Sequence, residues 1–244
     1  MYPVFLREML VFARRLKGSG YVFSALITPL LYLVTFGLGL GRGMTVSGVS
    51  YLLFVIPGIC AMSTMTNAYN GVAVSISVGR LHFKSFELFL TSPISYASIV
   101  AGEVLAGAVR GLFASCFVVI AGLALGAHIP LSPIFYMAWI LTALIFSCTG
   151  VIAGFWASSH EDTSQFSNFF IMPMSFFCGT FFAVDKLPPV IRWILYCLPL
   201  THATRAMRNG FVGSGTPWMS LVALCVFLVV FFFIALYMVK RSKR

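Results

Sequence analysis

Between Trp218 and Val239 the chain carries no charged residue. At 1.5 Å per residue a helix of that length crosses the ~30 Å hydrocarbon core of a bilayer. A helix that is apolar on every side has no face to offer to water, so it belongs in a deep core or in lipid. The run has companions at about 21–40, 51–78, 99–126, 134–157 and 162–184. Only 9% of the 244 residues are charged and 60% are hydrophobic, against roughly 25% charged in soluble domains, so lipid must solvate most of the surface. The runs are continuous rather than alternating, which excludes a transmembrane barrel. The expected fold class is an all-α membrane protein with six transmembrane helices.

Charge placement orients those spans. If they alternate, Arg7, Arg14, Arg15, Lys17, Arg80, Lys84, Lys240, Arg241, Lys243 and Arg244 share one membrane face, ten of the sixteen Lys and Arg. Arg42, Lys186, Arg192, Arg205 and Arg208 share the other, and Arg110 falls within a span. The positive-inside bias then puts both termini and the 79–98 segment in the cytoplasm. The net charge of +10 gathers largely beside hydrophobic runs, where it suits topology and anionic lipid rather than nucleic acid. Residues 1–18 form an amphipathic stretch rather than a cleavable signal pattern. At 100° per residue, Arg7, Glu8, Arg14 and Arg15 share one side, and Leu6, Met9, Ala13 and Leu16 the other. That suits a helix lying in the interface; a charged anchor before the first span fits as well. The six cysteines show no CxxC spacing and read as small packing residues.

The stretch 185–213 is too polar to cross a bilayer and too apolar for a loose loop. Pro199 divides it into two short helices, and Pro189 suits a first helical turn. It sits on the outer face between spans five and six, either dipping back against protein or lying as a surface loop. Asp162, with Gln165 three residues on, resembles a capping pair at the start of span five.

Three segments together resemble the ABC-2-type export permeases, the membrane subunits of one class of ATP-driven exporter. They are "SYLLFVIPGICAMSTMTNAYNG" (Ser50 to Gly71), "FELFLTSPIS" followed by "IVAGEVLAGAVRGLF" (Phe86 to Phe113), and "CGTFFAVDKLPPVIRWILYCLPLTHATRAMRNGF" (Cys178 to Phe211). Their order and spacing match over nearly the whole chain, with nodulation-factor exporter permeases and related bacterial inner-membrane permeases the most similar in feel. The resemblance implies an interfacial amino-terminal helix, six spans and external gate helices in a bacterial inner membrane. It also implies a homodimer of permeases docked on two copies of a separate ABC ATPase that binds ATP and Mg. The cargo expected of such a permease is amphipathic, lipid-linked or hydrophobic; an ATP-independent carrier or channel is the alternative.

The chain has no GxxxxGK[ST] loop to cradle nucleotide phosphates, so it is expected to bind no cofactor and to catalyse no hydrolysis itself. In family terms the 79–98 segment resembles the piece that couples to the ATPase. Phe83, Phe86 and Phe89 would enter a groove while Arg80, Lys84 and Glu87 pair at its rim, and Pro93 ends the helix. Glu103 and Arg110 share one face of span three, about 10 Å apart in rise, too far for a direct pair. Ionisable groups within spans often mark a pathway, although Arg110 could also snorkel to the interface. Phe177 and Phe181 belong to an aromatic cluster that either lines a path or faces lipid. Arg192, Trp193 and Arg205 are the gate candidates of the outer stretch. The pairs Gly107/Gly111, Gly122/Gly126 and Gly150/Gly154 have GxxxG spacing, best read as packing within the bundle. His82, His128, His160 and His202 are scattered and form no metal set.

Overall fold

A computed structural model describes residues 1–41, 43–46, 48–81, 94–127, 132–212 and 217–241. Among the described residues four helices are long and apolar enough to cross a membrane: α3 (Tyr51–Leu81), α4 (Tyr96–Ala124), α5 (Pro133–Trp156) and α10 (Pro217–Arg241). Each starts and stops within three residues of the sequence expectation. Serine side chains fix two of the starts: Ser95 Oγ accepts from the Ser98 amide and Ser132 Oγ from the Phe135 amide, each taking up an orphan donor of the first turn.

The other two expected spans are helical but uneven. The first comprises α2 (Ser19–Tyr32) and a wider π-helical continuation over Leu33–Leu40. The fifth comprises α6 (His160–Phe166), a π-helical turn (Ser167–Ile171) and α7 (Met172–Phe177). Such widened turns recur at functional sites in helical proteins. The expected Asp162/Gln165 cap is corrected. Ser159 is the cap, its Oγ accepting from the Asp162 amide at 3.1 Å, while Asp162 Oδ2 reaches back to accept from the Ser159 amide at 3.0 Å. The acid is therefore the fourth residue of the box rather than its first. A two-residue β-ribbon, Thr45–Val46 against Val49–Ser50, closes the turn after the first helix pair.

α3 is the axis of the bundle, buried along most of its length against α4 and α5. Close approach there depends on small residues. A Cβ at Gly107 would lie 2.2 Å from Val72, at Gly111 2.8 Å from Ala68, at Gly150 2.8 Å from the Tyr69 carbonyl, and at Gly154 2.8 Å from Ile76. Two of the three GxxxG pairs thus serve packing on α3. The third does not: a Cβ at Gly126 would meet nothing, and that residue turns the chain with φ 80°.

A polar knot holds the centre. Trp139 Nε1 on α5 is shared between Thr64 Oγ1 on α3 at 2.9 Å and Ser115 Oγ on α4 at 2.8 Å. Both hydroxyls donate onward to carbonyls of their own helices, Cys60 and Gly111, at 2.8 Å. Because those onward bonds survive, Trp139→Phe should cost only about 1–2 kcal/mol, read as a lower melting temperature with unchanged membrane insertion. A loss matching a full core truncation would show that the knot carries more than its hydrogen bonds.

The most apolar helix is the least buried. For α10 22% of the best membrane window is buried, against 72% for α3. Val222, Val226, Val229, Phe233 and Tyr237 point outward. In water such a surface would collapse or aggregate; in hydrocarbon it costs nothing.

Candidate functional site

At one end of the bundle α1 (Tyr2–Leu16) delivers a carboxylate into the interior. Its buried residues are Val4, Glu8 and Phe12, a single stripe at i, i+4, i+8. This corrects the helical-wheel assignment of Glu8 to the solvated side with Arg7, Arg14 and Arg15. α1 runs beside α4 rather than across it: Val4 lies over Gly102, and Phe12 meets Phe113 edge-on at 5.6 Å.

Glu8 is there for Arg110. The Nη2 of Arg110 donates to Glu8 Oε2 at 2.6 Å and to the Glu8 carbonyl at 3.0 Å, and Nη1 donates to the Gly71 carbonyl of α3 at 2.6 Å. Ser75 of α3 donates a further bond to Glu8 Oε2 at 2.8 Å, and Arg7 lies 3.3 Å from Oε1. Glu8 and Arg110 are 1% and 4% exposed. One ion pair therefore ties α1, α3 and α4 together. Glu103, two turns earlier on α4 and 2% exposed, makes no ion pair among the described residues; its Oε2 is buried without a hydrogen-bond partner there.

Arg80, assigned from sequence to the rim of a docking groove, turns back into the bundle. Its Nη1 donates to the Gly154 and Phe155 carbonyls at 2.8 and 2.9 Å, and its guanidinium lies 5.0 Å from the Phe155 ring centre. It thus caps the last carbonyls of α5, where a cation also suits the helix dipole. Phe83, Lys84, Phe86, Glu87, Phe89 and Pro93 lie outside the described residues.

The opposite end is organised by a cation that the sequence reading did not single out as a site. α8 (Pro189–Tyr196) and α9 (Pro199–Val212) form the expected pair of short helices. Arg208 of α9 sends Nε to the Phe54 carbonyl of α3 at 2.9 Å, Nη2 to the Thr180 carbonyl at 2.7 Å, and Nη1 to the Gly179 carbonyl. Its guanidinium lies 3.8 Å from the Phe54 ring centre. Gly179, at φ 83°, presents its carbonyl from a left-handed turn that a side chain would strain. As a guanidinium Arg208 stays charged, so its burial is offset by these carbonyls and by the ring face. The signal in the sequence was the stripe Leu200, Thr204, Arg208, whose first two members are as buried as Arg208 itself.

The expected gate residues do not converge on one point. Arg192 donates to the Asp185 carbonyl at 2.6 Å, Arg205 stacks 4.9 Å from the Tyr196 ring centre, and Trp193 is exposed. Phe181 is embedded with Phe36, ring centres 4.4 Å apart, whereas Phe177 faces outward. An apolar cavity of about 270 Å³ joins Phe146, Phe166, Phe170, Met174, Pro199 and Phe231. Among the described residues no His, Cys, Asp or Glu cluster could hold a metal.

Helices that give their most apolar face to the surroundings and bury a salt bridge between segments define a polytopic helical membrane protein. The chain belongs to the ABC-2 type transporter family, whose model matches residues 4–212. Members of that family are transmembrane subunits rather than ATPases, and they normally work with a separate ABC ATPase. The chain is 31% identical over 221 residues to the inner membrane transport permease YadH of Escherichia coli K12, covering 89% of this chain and 86% of that one. It is 30% identical over 227 residues to nodulation protein J of Rhizobium meliloti, covering 90% and 86%. The family and the four apolar helices among the described residues make the chain a multi-pass membrane protein.

Proposed function

We propose that this chain is the membrane subunit of an ATP-driven exporter that moves an amphipathic, lipid-linked or hydrophobic substrate out of the cytoplasm or inner leaflet. The observation that carries the reading is the family match over residues 4–212. Two copies of the chain would face each other, each docked on one ATPase subunit through the 79–98 segment. The chain would cross the membrane six times, counting the uneven helices 19–40 and 160–177, with both termini in the cytoplasm. The clustering of ten Lys and Arg on one side against five on the other supports that orientation.

α8 and α9 would re-enter from the outer face as the gate. In support, Pro199 between them shares a cavity with Phe231, fourteen residues (231 minus 217) along α10, and His202 lies 6.1 Å from Phe227. A rise of about 21 Å over those fourteen residues supports a depth for Pro199 within the hydrocarbon.

The test is a pull-down of the tagged chain from detergent-solubilised native membranes, followed by identification of what accompanies it. An ATPase subunit should co-purify in equal amount and be lost when Phe86 and Glu87 are replaced together, while the permease alone hydrolyses no ATP. Recovery of the chain alone, with transport surviving ATP depletion, would reject the exporter reading and favour an ATP-independent carrier.

A further inference from the structure

The long helices α3, α5 and α10 finish at the same end of the bundle. Between their ends lies a cavity of about 250 Å³ lined by Arg80, Phe155, Trp156, Met238 and Arg241. Two arginines thus share one cavity, and among the described residues neither makes an ion pair with a carboxylate. The acids that follow α5, Glu161 and Asp162, do not line it, and Asp162 already accepts from the Ser158 and Ser159 amides. Like charges gathered without a counter-ion repel one another, so the arrangement favours an anion between them.

Arg80 is held ready for such a ligand. Its Nη1 is spent on the Gly154 and Phe155 carbonyls, and its guanidinium lies against the Phe155 ring. Nε and Nη2 have no hydrogen-bond partner among the described residues. Those two nitrogens form an edge of the fork that can grip two oxygens of one phosphate side by side. A guanidinium already fixed by carbonyls loses little freedom when it binds.

Depth in the membrane decides what carries the anion. Arg241 closes α10, and one and two turns earlier Tyr237 and Phe233 are exposed. Charge begins where that apolar surface ends, at the level of lipid headgroups. Trp156, also exposed, suits the same boundary with its apolar ring and polar N–H. The cavity is smaller than the ~300 Å³ at which drug-sized sites begin, so it takes a headgroup and not a whole lipid. We propose that it binds the phosphate of an anionic phospholipid, clamped between Arg80 and Arg241 with the acyl chains along the exposed side of α10. Basic pockets between spans recognise lipid headgroups by this chemistry. The bound lipid would join the ends of α3 and α10 whatever the cargo is.

Thermal unfolding of the purified full chain in a neutral detergent, titrated with short-chain phosphatidylglycerol, tests the site. The melting temperature should rise saturably with this lipid, and far less with phosphatidylcholine, whose choline already neutralises the phosphate. Arg241→Gln should raise the half-saturating concentration roughly tenfold, the effect of one lost charge-assisted bond. Lys240→Gln removes the same charge one residue away, outside the cavity lining, and should change it about twofold or less. Met238→Trp keeps every charge but fills the cavity, and should abolish the response. Equal responses to the two lipids, or a response unchanged in Arg241→Gln or Met238→Trp, overturn the site. If Met238→Trp does not accumulate, the contrast between Arg241→Gln and Lys240→Gln decides. Inorganic phosphate at the same concentration should give no shift; a shift equal to that of phosphatidylglycerol would assign the cavity to free phosphate and overturn the lipid.

Discussion

Arg110→Ala is expected to lower the unfolding free energy by about 3–5 kcal/mol, the penalty of leaving buried charge without its partner. The variant strands Glu8, which is almost fully buried and loses its 2.6 Å ion pair. It also removes the donors to the Gly71 and Glu8 carbonyls. Unfolding in mixed micelles reads the loss, and the double variant Arg110→Met, Glu8→Gln separates its causes. If uncompensated charge dominates, neutralising both groups should recover most of the stability, as buried ion pairs replaced by neutral groups of similar volume often do. A single-variant loss under about 1 kcal/mol, the level of an exposed pair, would mean that water reaches this cluster.

What the sequence revealed and what it hid divide along physical lines. The long spans were legible because a bilayer imposes a length and forbids charge, and α3, α4, α5 and α10 meet both demands in their composition. The two short helices α8 and α9 were legible from Pro189 and Pro199, whose ring geometry marks a first turn whatever surrounds it. Glu8 was misread because a helical wheel sorts polar from apolar and cannot tell polar toward water from polar toward a buried partner. Val4-x-x-x-Glu8-x-x-x-Phe12 is an apolar stripe with one acid in it, and its meaning depends on Arg110, which lies 102 residues away. The contacts of Arg80 were hidden for a related reason. The carbonyls that it caps belong to the end of another helix, and no local pattern announces them. The widened turns over 33–40 and 167–171 have no reliable sequence signature either, although glycines at 37 and 39 weaken the first.

Arg208→Ala should be nearly as costly as Arg110→Ala, about 3–5 kcal/mol, by a different mechanism. Here no acid is stranded. Three buried carbonyls, those of Phe54, Gly179 and Thr180, lose their donor, and the Phe54 ring loses the cation on its face. The void would open where the chain is tightest, since a Cβ at Gly58 would already lie 2.6 Å from Nη2 of Arg208. Two further variants apportion the effect. Arg208→Met restores volume without donors, and Arg208→Lys restores charge without the planar fork needed to reach three carbonyls at once. Both should remain clearly less stable than the native chain, with Lys the better of the two. The loss should be local to that end of the bundle: amides over 178–183 and at the start of α3 should exchange faster, while the contacts of Gly150 and Gly154 with α3 keep their protection. If Arg208→Met proves as stable as the native protein, the carbonyls have found other donors and Arg208 is not what holds α9 to α3. If it is destabilised as described, whatever moves α9 must break three bonds to one guanidinium, and that end of the bundle opens as a unit rather than residue by residue.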